Sequence, residues 1–238
     1  MSGSRGPGRV LGVLGGMGPA ATAEFMRLLA ERSPASCDQE HATVYVLSDP
    51  QIPDRSSAIV GKGEDPTARL RSGLTTLVRW GAGLLAVPCN TAHYFIDRFR
   101  GDLPVPLVHI VEETVAAAAG LSPGGAWLAG TLGTIKTGLF QAEAERLGYQ
   151  FLLPPEDALC EVKRVIDTVK GGDRRAGGML LRRIMDDLWS ARDIPLCMAC
   201  TELPLAYDAS GLPADRAVSS LEALSDACVR ALYAPAES

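Results

Sequence analysis

Two cysteines are the residues of this chain whose setting best suits chemistry. Val87-Pro88-Cys89-Asn90-Thr91-Ala92-His93 closes an apolar, strand-like run on a thiol and follows it with polar residues that can open a helix. Met198-Ala199-Cys200-Thr201-Glu202-Leu203-Pro204 repeats the arrangement close to half a chain length later. A thiol at a helix N-terminus, beside donors, falls below its free pKa of about 8.5 and becomes reactive as a thiolate. Two thiols delivered by two similar segments imply a cleft with one reactive group on each wall.

The elements around these segments have to build that cleft. Residues 9–14 read as a strand buried on both faces, and Gly15-Gly16-Met17-Gly18-Pro19 is the turn after it. Pro19 suits the first turn of a helix, expected over 20–32. This glycine turn lacks the third glycine of a dinucleotide fingerprint, so it carries no case for NAD. A second strand is expected over 43–47, with an extended, proline-containing loop over 48–57. That loop offers Arg55, whose planar fork matches a carboxylate. A surface ion pair with Asp54 or Asp49 is the simpler reading of Arg55 from spacing alone. Helices are expected over 65–80, 92–99 and 111–119, and strands over 83–88 and 107–110.

The order then repeats. A strand over 125–129 leads into the small-residue turn Gly130-Thr131-Leu132-Gly133-Thr134, the counterpart of the first glycine turn. A helix over 135–147, a strand over 149–153 and a helix over 156–170 follow. Another helix is expected over 174–190, broken early at Gly177-Gly178. The strand over 194–200 carries the second thiol, and a final helix spans 219–233. Strands alternating with helices give parallel sheets, whose ligands bind beyond the carboxyl ends of the strands. The fold class is therefore α/β, with two pseudo-symmetric lobes, each a mainly parallel sheet flanked by helices, and a site in the cleft between them. The expected lobes are 9–105 plus 212–234, carrying Cys89, and 106–211, carrying Cys200.

Composition agrees. The 238 residues are 47% hydrophobic but only 5% aromatic, which suits helix-covered parallel strands better than a sandwich. Net charge is −5 with acids and bases interspersed, so there is no basic stripe for nucleic acid. No apolar run approaches the roughly 20 residues needed to cross a bilayer. Residues 1–8 read as a disordered tail, 234–238 as a frayed end, and the protein as cytoplasmic. Six cysteines in such a chain give no disulfide framework. Cys197 and Cys200 form a C-x-x-C, but Cys197 lies inside the apolar run and reads as a buried strand residue. Cys37, Cys160 and Cys228 read as ordinary packing residues too. No further C-x-x-C pair or His cluster supports a metal.

The segments Gly15 to Pro19, Pro50-Gln51-Ile52-Pro53-Asp54-Arg55, Pro88 to His93, Gly130 to Thr134 and Cys200-Thr201-Glu202-Leu203-Pro204 together resemble, in order, the aspartate/glutamate racemase superfamily, closest to its aspartate branch. The resemblance implies an amino-acid racemase that works without pyridoxal phosphate or any other cofactor, with Cys89 and Cys200 catalytic. It implies that Met17, Asn90, Thr91, Thr131, Thr134 and Thr201 hold the amino and carboxylate groups of a small amino-acid substrate, that Arg55 binds a side-chain carboxylate, and that a helix lysine joins it. Lys170 is the candidate for that lysine and Lys163 the alternative. A homodimer is common among such proteins. The chain departs from the pattern at Phe140, where a tyrosine is usual, and at Ser219, where an aspartate is.

Racemisation takes a proton from one face of the α-carbon and returns one to the other, so two groups must flank it. One cysteine acts as thiolate while the other is a thiol, and they exchange roles with the hand of the substrate. Hydroxyl and amide donors would stabilise charge developing on the α-carboxylate. Glu202 and His93 are candidates for support around the thiols, and His41 and His109 read as structural. Aspartate is the expected substrate, with glutamate or another amino acid, a decarboxylase and a cis–trans isomerase as alternatives. A non-catalytic binding protein fits less well, because both cysteines are kept.

Overall fold

The computed structural model describes residues 7–234. The expected tails over 1–8 and 234–238 therefore lie outside the described residues except for Pro7, Gly8 and Ala234. The first half runs β1 (Leu11–Gly15), α1 (Pro19–Arg32), β2 (Val44–Ser48), α2 (Arg55–Ile59), α3 (Thr67–Arg79), β3 (Leu84–Ala86), α4 (His93–Ile96), β4 (Leu107–Val108) and α5 (Ile110–Leu121). The second runs β5 (Ala126–Gly130), α6 (Leu132–Thr137), α7 (Leu139–Arg146), β6 (Phe151–Leu152), α8 (Glu156–Lys170), α9 (Arg174–Ala191), β7 (Leu196–Ala199), α10 (Leu203–Ser210), β8 (Ala217–Ser219) and α11 (Ser220–Tyr233).

The strands form two four-stranded sheets, ordered β2-β1-β3-β4 and β6-β5-β7-β8, with every pairing parallel. The two orders are the same, so β1 corresponds to β5 and β3 to β7. Val13 pairs with Val46 on one side and Ala86 on the other, and Leu128 pairs with Cys197. Both β1 and β5 are buried along their whole length, as strands covered by helices on two faces must be.

Helices fill three layers. On the outer face of the first sheet, Leu70, Leu74 and Leu77 of α3 pack with Phe95 and Ile96 of α4. On the outer face of the second, α8, α9 and α10 bury Val162, Val165, Leu181, Met185 and Leu205. A central cluster joins Phe25 of α1, Val111 and Val115 of α5, Phe140 of α7 and Leu221 and Leu224 of α11 with apolar residues of both sheets. Helix α11 is tied to α1 by Arg32, which pairs with Asp226 at 2.7 Å and Glu222 at 3.0 Å. Among the described residues no helix is long and apolar enough to cross a membrane.

Several elements differ from the sequence reading. Gly177 and Gly178 do not break α9, which is continuous over 18 residues. A Cβ on Gly177 would lie 2.7 Å from Val169 Cγ2, and one on Gly178 would lie 2.7 Å from the Ala209 carbonyl carbon. The glycines let α9 approach α8 and α10, and the packing outweighs their poor propensity. The helix expected over 135–147 is divided at Gly138, which takes φ +67°. The strand expected over 107–110 ends at Val108, because His109 caps α5 through the Glu112 N–H. Helix α2 begins where a continuous loop was expected, with the Asp54 side chain accepting from the Ser57 N–H at 2.7 Å. Helix α10 opens after Cys200-Thr201-Glu202, where the polar residues after the second thiol suggested a helix, whereas strand β8 had no counterpart in the sequence reading.

Candidate active site

The carboxyl ends of β1, β3, β5 and β7 open on one cavity. In each sheet these are the two neighbouring strands at which the order reverses, the usual ligand position in open α/β sheets. Met17 follows β1, while Cys89, Asn90 and Thr91 follow β3. Thr131 follows β5, and Cys200, Thr201 and Glu202 follow β7. Asp54, Arg55 and Ser56 reach the cavity from the start of α2, and Lys170 reaches it from the end of α8. Both thiols thus line one space, carried on equivalent strand ends of the two sheets. Cys89 is 6% exposed and Cys200 4%.

Hydrogen bonds fix the polar wall. The hydroxyls of Thr91, Thr131 and Thr134 form a triangle with sides of 3.0, 2.8 and 3.0 Å, and it spans the two halves. Thr131 caps α6, its hydroxyl accepting from the Thr134 N–H at 3.1 Å. Thr134 itself is fully buried behind the cavity rather than lining it. Asn90 Nδ2 donates to Ser220 Oγ at 2.9 Å, leaving Oδ1 buried without a partner. Ser219, next to it, caps α11.

Arg55 is buried, not a surface ion pair. Its Nη1 donates to the carbonyls of Ile52 and Pro53, each at 3.1 Å, and Nη2 to the Met17 carbonyl at 3.3 Å. These bonds hold the guanidinium in one orientation, with Nε–H buried and unpartnered. Asp49 pairs with Arg69 instead. Both candidate lysines are exposed, but Lys170, at the end of α8, lines the cavity, whereas Lys163 is paired with Asp167. His93 lies beneath Cys89, its Nδ1 2.9 Å from the Cys89 carbonyl oxygen.

The electrostatics are uneven. Burial pushes the Cys200 thiol well up, and the neighbouring Glu202 charge pushes it further against the pull of Lys170. Burial alone would lower Lys170, but its acidic surroundings, the Glu202 carboxylate foremost, outweigh it and hold its pKa above the ordinary value. Burial drives His93 well below the ordinary histidine range, so its imidazole is neutral and its Nδ1–H donates to Cys89. Asp54, Ser56 and Ser220 were not singled out in the sequence. The Pro-Asp-Arg run was the one local hint for the first two, and Ser220 is joined to Asn90 only by the fold.

A model of the family described as Asp/Glu/Hydantoin racemase matches residues 14–227. The chain belongs to the Asp/Glu/hydantoin racemase family. It is accordingly an isomerase. It is 25% identical over 206 residues to the broad specificity amino-acid racemase RacX of Bacillus subtilis (strain 168), covering 84% of this chain and 88% of that one. The aspartate racemase of Picrophilus torridus superposes with a TM-score of 0.82 at 25% identity, over 94% of each chain. The glutamate racemase isoform RacE1 of Bacillus anthracis shares the fold, with a TM-score of 0.68 at 18% identity over 95% of this chain and 82% of that one.

Proposed function

We propose that this racemase-family enzyme interconverts L- and D-aspartate by two-base proton transfer, with Cys89 and Cys200 on opposite sides of the α-carbon. The observation that carries the reading is the pair of thiols on equivalent strand ends lining one cavity with two cations, Arg55 and Lys170. One thiolate takes the α-proton, and the bond's electron pair moves to the α-carbon and its carboxylate. The other thiol protonates the opposite face. Thr91, Thr131 and Thr201 offer hydroxyls to the α-carboxylate, and Asn90 Oδ1 offers an acceptor to the α-ammonium. The fixed guanidinium of Arg55 and the charged Lys170 favour a substrate with a second carboxylate. Thiols that must stay reduced make the cytoplasm the expected location.

The likeness to RacX favours a broader reading, in which other amino acids are also accepted. Both readings are tested by incubating the enzyme in deuterium oxide with single enantiomers of aspartate and of a panel of other amino acids. Deuterium at the α-carbon of both aspartate enantiomers, with formation of the opposite hand, is expected. Exchange only with amino acids lacking a second carboxylate defeats the aspartate assignment. No exchange with any member defeats the racemase mechanism.

A further inference from the structure

The two cysteines hold equivalent places in the two sheets, yet their neighbours differ. Cys200 Sγ donates a hydrogen bond to Glu202 Oε2 at 3.1 Å in a buried setting. Cys89 Sγ makes no hydrogen bond among the described residues; its backbone alone is held, the N–H by the Val87 carbonyl and the carbonyl by His93. Glu202 is 3% exposed and cannot turn freely. Thr201 Oγ1 donates to the same Oε2 at 3.5 Å, and Oε1 is buried without a partner. Oε1 also faces the glycine turn of the other half, since a Cβ on Gly18 would lie 3.1 Å from it. The Glu202 carboxylate is therefore pinned against one thiol of the pair.

We propose that Glu202 is a positioning residue that keeps Cys200 protonated in the free enzyme, so that Cys89 rests as the base and Cys200 as the acid. The inference rests on the two-base reading above. A carboxylate oxygen beside sulfur accepts an S–H well but opposes a thiolate, because two negative charges would then share one buried site. The other charges on the cavity are the cations Arg55 and Lys170 and the anion of Asp54. None of these is hydrogen-bonded to either sulfur. The raised pKa of Cys200 agrees in direction.

The consequence is directional. A substrate whose α-hydrogen faces Cys89 meets a ready enzyme. Cys89 thiolate takes that proton and becomes a thiol, and Cys200 S–H gives its proton to the opposite face and becomes a thiolate. Water then returns the pair to rest, removing a proton from Cys89 and supplying one to Cys200. The opposite enantiomer needs the Cys200 thiolate, which Glu202 disfavours. Enantiomers have equal free energy, so kcat/KM must be equal in the two directions. The bias therefore shows as unequal kcat and unequal KM.

The test compares wild type with Glu202→Gln and Glu202→Asp. Full-length protein is treated with iodoacetamide at mildly alkaline pH, and labelling of Cys89 and Cys200 is followed by peptide mass mapping. Wild type should label Cys89 faster than Cys200. Glu202→Gln should raise the Cys200 rate roughly tenfold, as a fall of one pKa unit would, with Cys89 little changed. Glu202→Asp, which keeps the charge, should leave Cys200 slow. The ratio of kcat values in the two directions should shift in Glu202→Gln, whereas a purely structural role would lower both alike. Equal labelling of the two cysteines in wild type overturns the proposal whether or not the variants fold, as does an unchanged Cys200 rate in a folded Glu202→Gln. Labelling needs no turnover, so a failure of the aspartate reading would show separately as missing racemisation with the labelling bias intact.

Discussion

Gly133→Ala tests whether the close approach of the two halves sets the geometry of the cavity. Gly133 lies in the first turn of α6, facing α2. An added Cβ would sit 2.8 Å from Ser56 Oγ, 3.0 Å from Ser56 Cα and 3.1 Å from Ile59 Cδ1. The hydroxyl can rotate away, but the backbone carbon cannot. Non-bonded carbons prefer a separation of about 3.5–4.0 Å, so α2 and α6 must move apart by roughly 0.5 Å or more. Overpacking of this kind costs about 1–3 kcal/mol, and alanine's better helix propensity returns up to about 1 kcal/mol. A net loss of about 1 kcal/mol should lower Tm by roughly 2–4 °C in a chain of this size. Activity should suffer more. Helix α2 carries Arg55 and Ser56, α6 follows Thr131, and a misplacement approaching 1 Å can cost about 100-fold. The assay is Tm by circular dichroism together with kcat/KM for aspartate. Gly120→Ala is the control: nothing lies within 4 Å of its added Cβ in α5, so it should stabilise by about 0.5–1 kcal/mol. Adding Ser56→Ala to Gly133→Ala should restore activity only in part, because the clash with the Ser56 backbone remains. Native Tm and native kcat/KM in Gly133→Ala, or full rescue by Ser56→Ala, would refute this reasoning.

Cys89→Ser and Cys200→Ser should each lower racemisation by about 100-fold or more, measured by chiral chromatography of the product; full activity in either one rules out a two-base mechanism. Lys170→Met should raise KM for aspartate roughly ten- to a hundredfold, as loss of a charged hydrogen bond would, and affect alanine much less. An equal effect on both substrates would remove Lys170 from side-chain recognition. His93 is neutral and buried in the fold but binds a proton when unfolded, so the unfolded state takes up more protons as pH falls below 6.5. Stability should be full above that value and fall by up to about 1.4 kcal/mol per pH unit below it. Urea unfolding at several pH values above the carboxylate range should show this slope, and His93→Gln should flatten it; the same slope in the variant would exclude His93 as its source.

The sequence showed the alternation of strands and helices because each buried strand ends in a turn of distinctive composition. The repeat of glycine turn and cysteine turn made the two halves visible. What it hid was set by distant parts of the chain. Gly177-Gly178 looks like a break by propensity alone, and only the approach of α8 and α10 shows it as a packing site. Strand β8 is three residues long and joins β7 through partners outside its own segment. Arg55 has acidic neighbours that make a surface pair the local expectation, yet its partners are backbone carbonyls, one of them 38 residues away. Lys163 and Lys170 are two helical turns apart on nearly the same face of α8, so periodicity cannot separate them. Position along the axis does, since Lys170 is the last residue of the helix and points into the cavity.

The threonine triangle bears on where selectivity for a carboxylate can come from. In a ring of three hydroxyls each can donate to the next, so Thr91, Thr131 and Thr134 satisfy one another across the two halves. A carboxylate brings only acceptors. Any hydroxyl that donates to it must turn its proton out of the ring, and one hydrogen bond is exchanged for another. Such an exchange contributes little net affinity, whereas a bond from a charged group contributes about 1.5–3 kcal/mol. The ring is thus better suited to orienting a bound carboxylate and to linking the thiol-bearing walls than to attracting a ligand. On the proposed function attraction would fall to Arg55 and Lys170, which enter the cavity from α2 and α8 rather than from the strand ends. A relative could therefore keep the thiols and the hydroxyl ring while changing the two cations, and its substrate range would change while its chemistry would not.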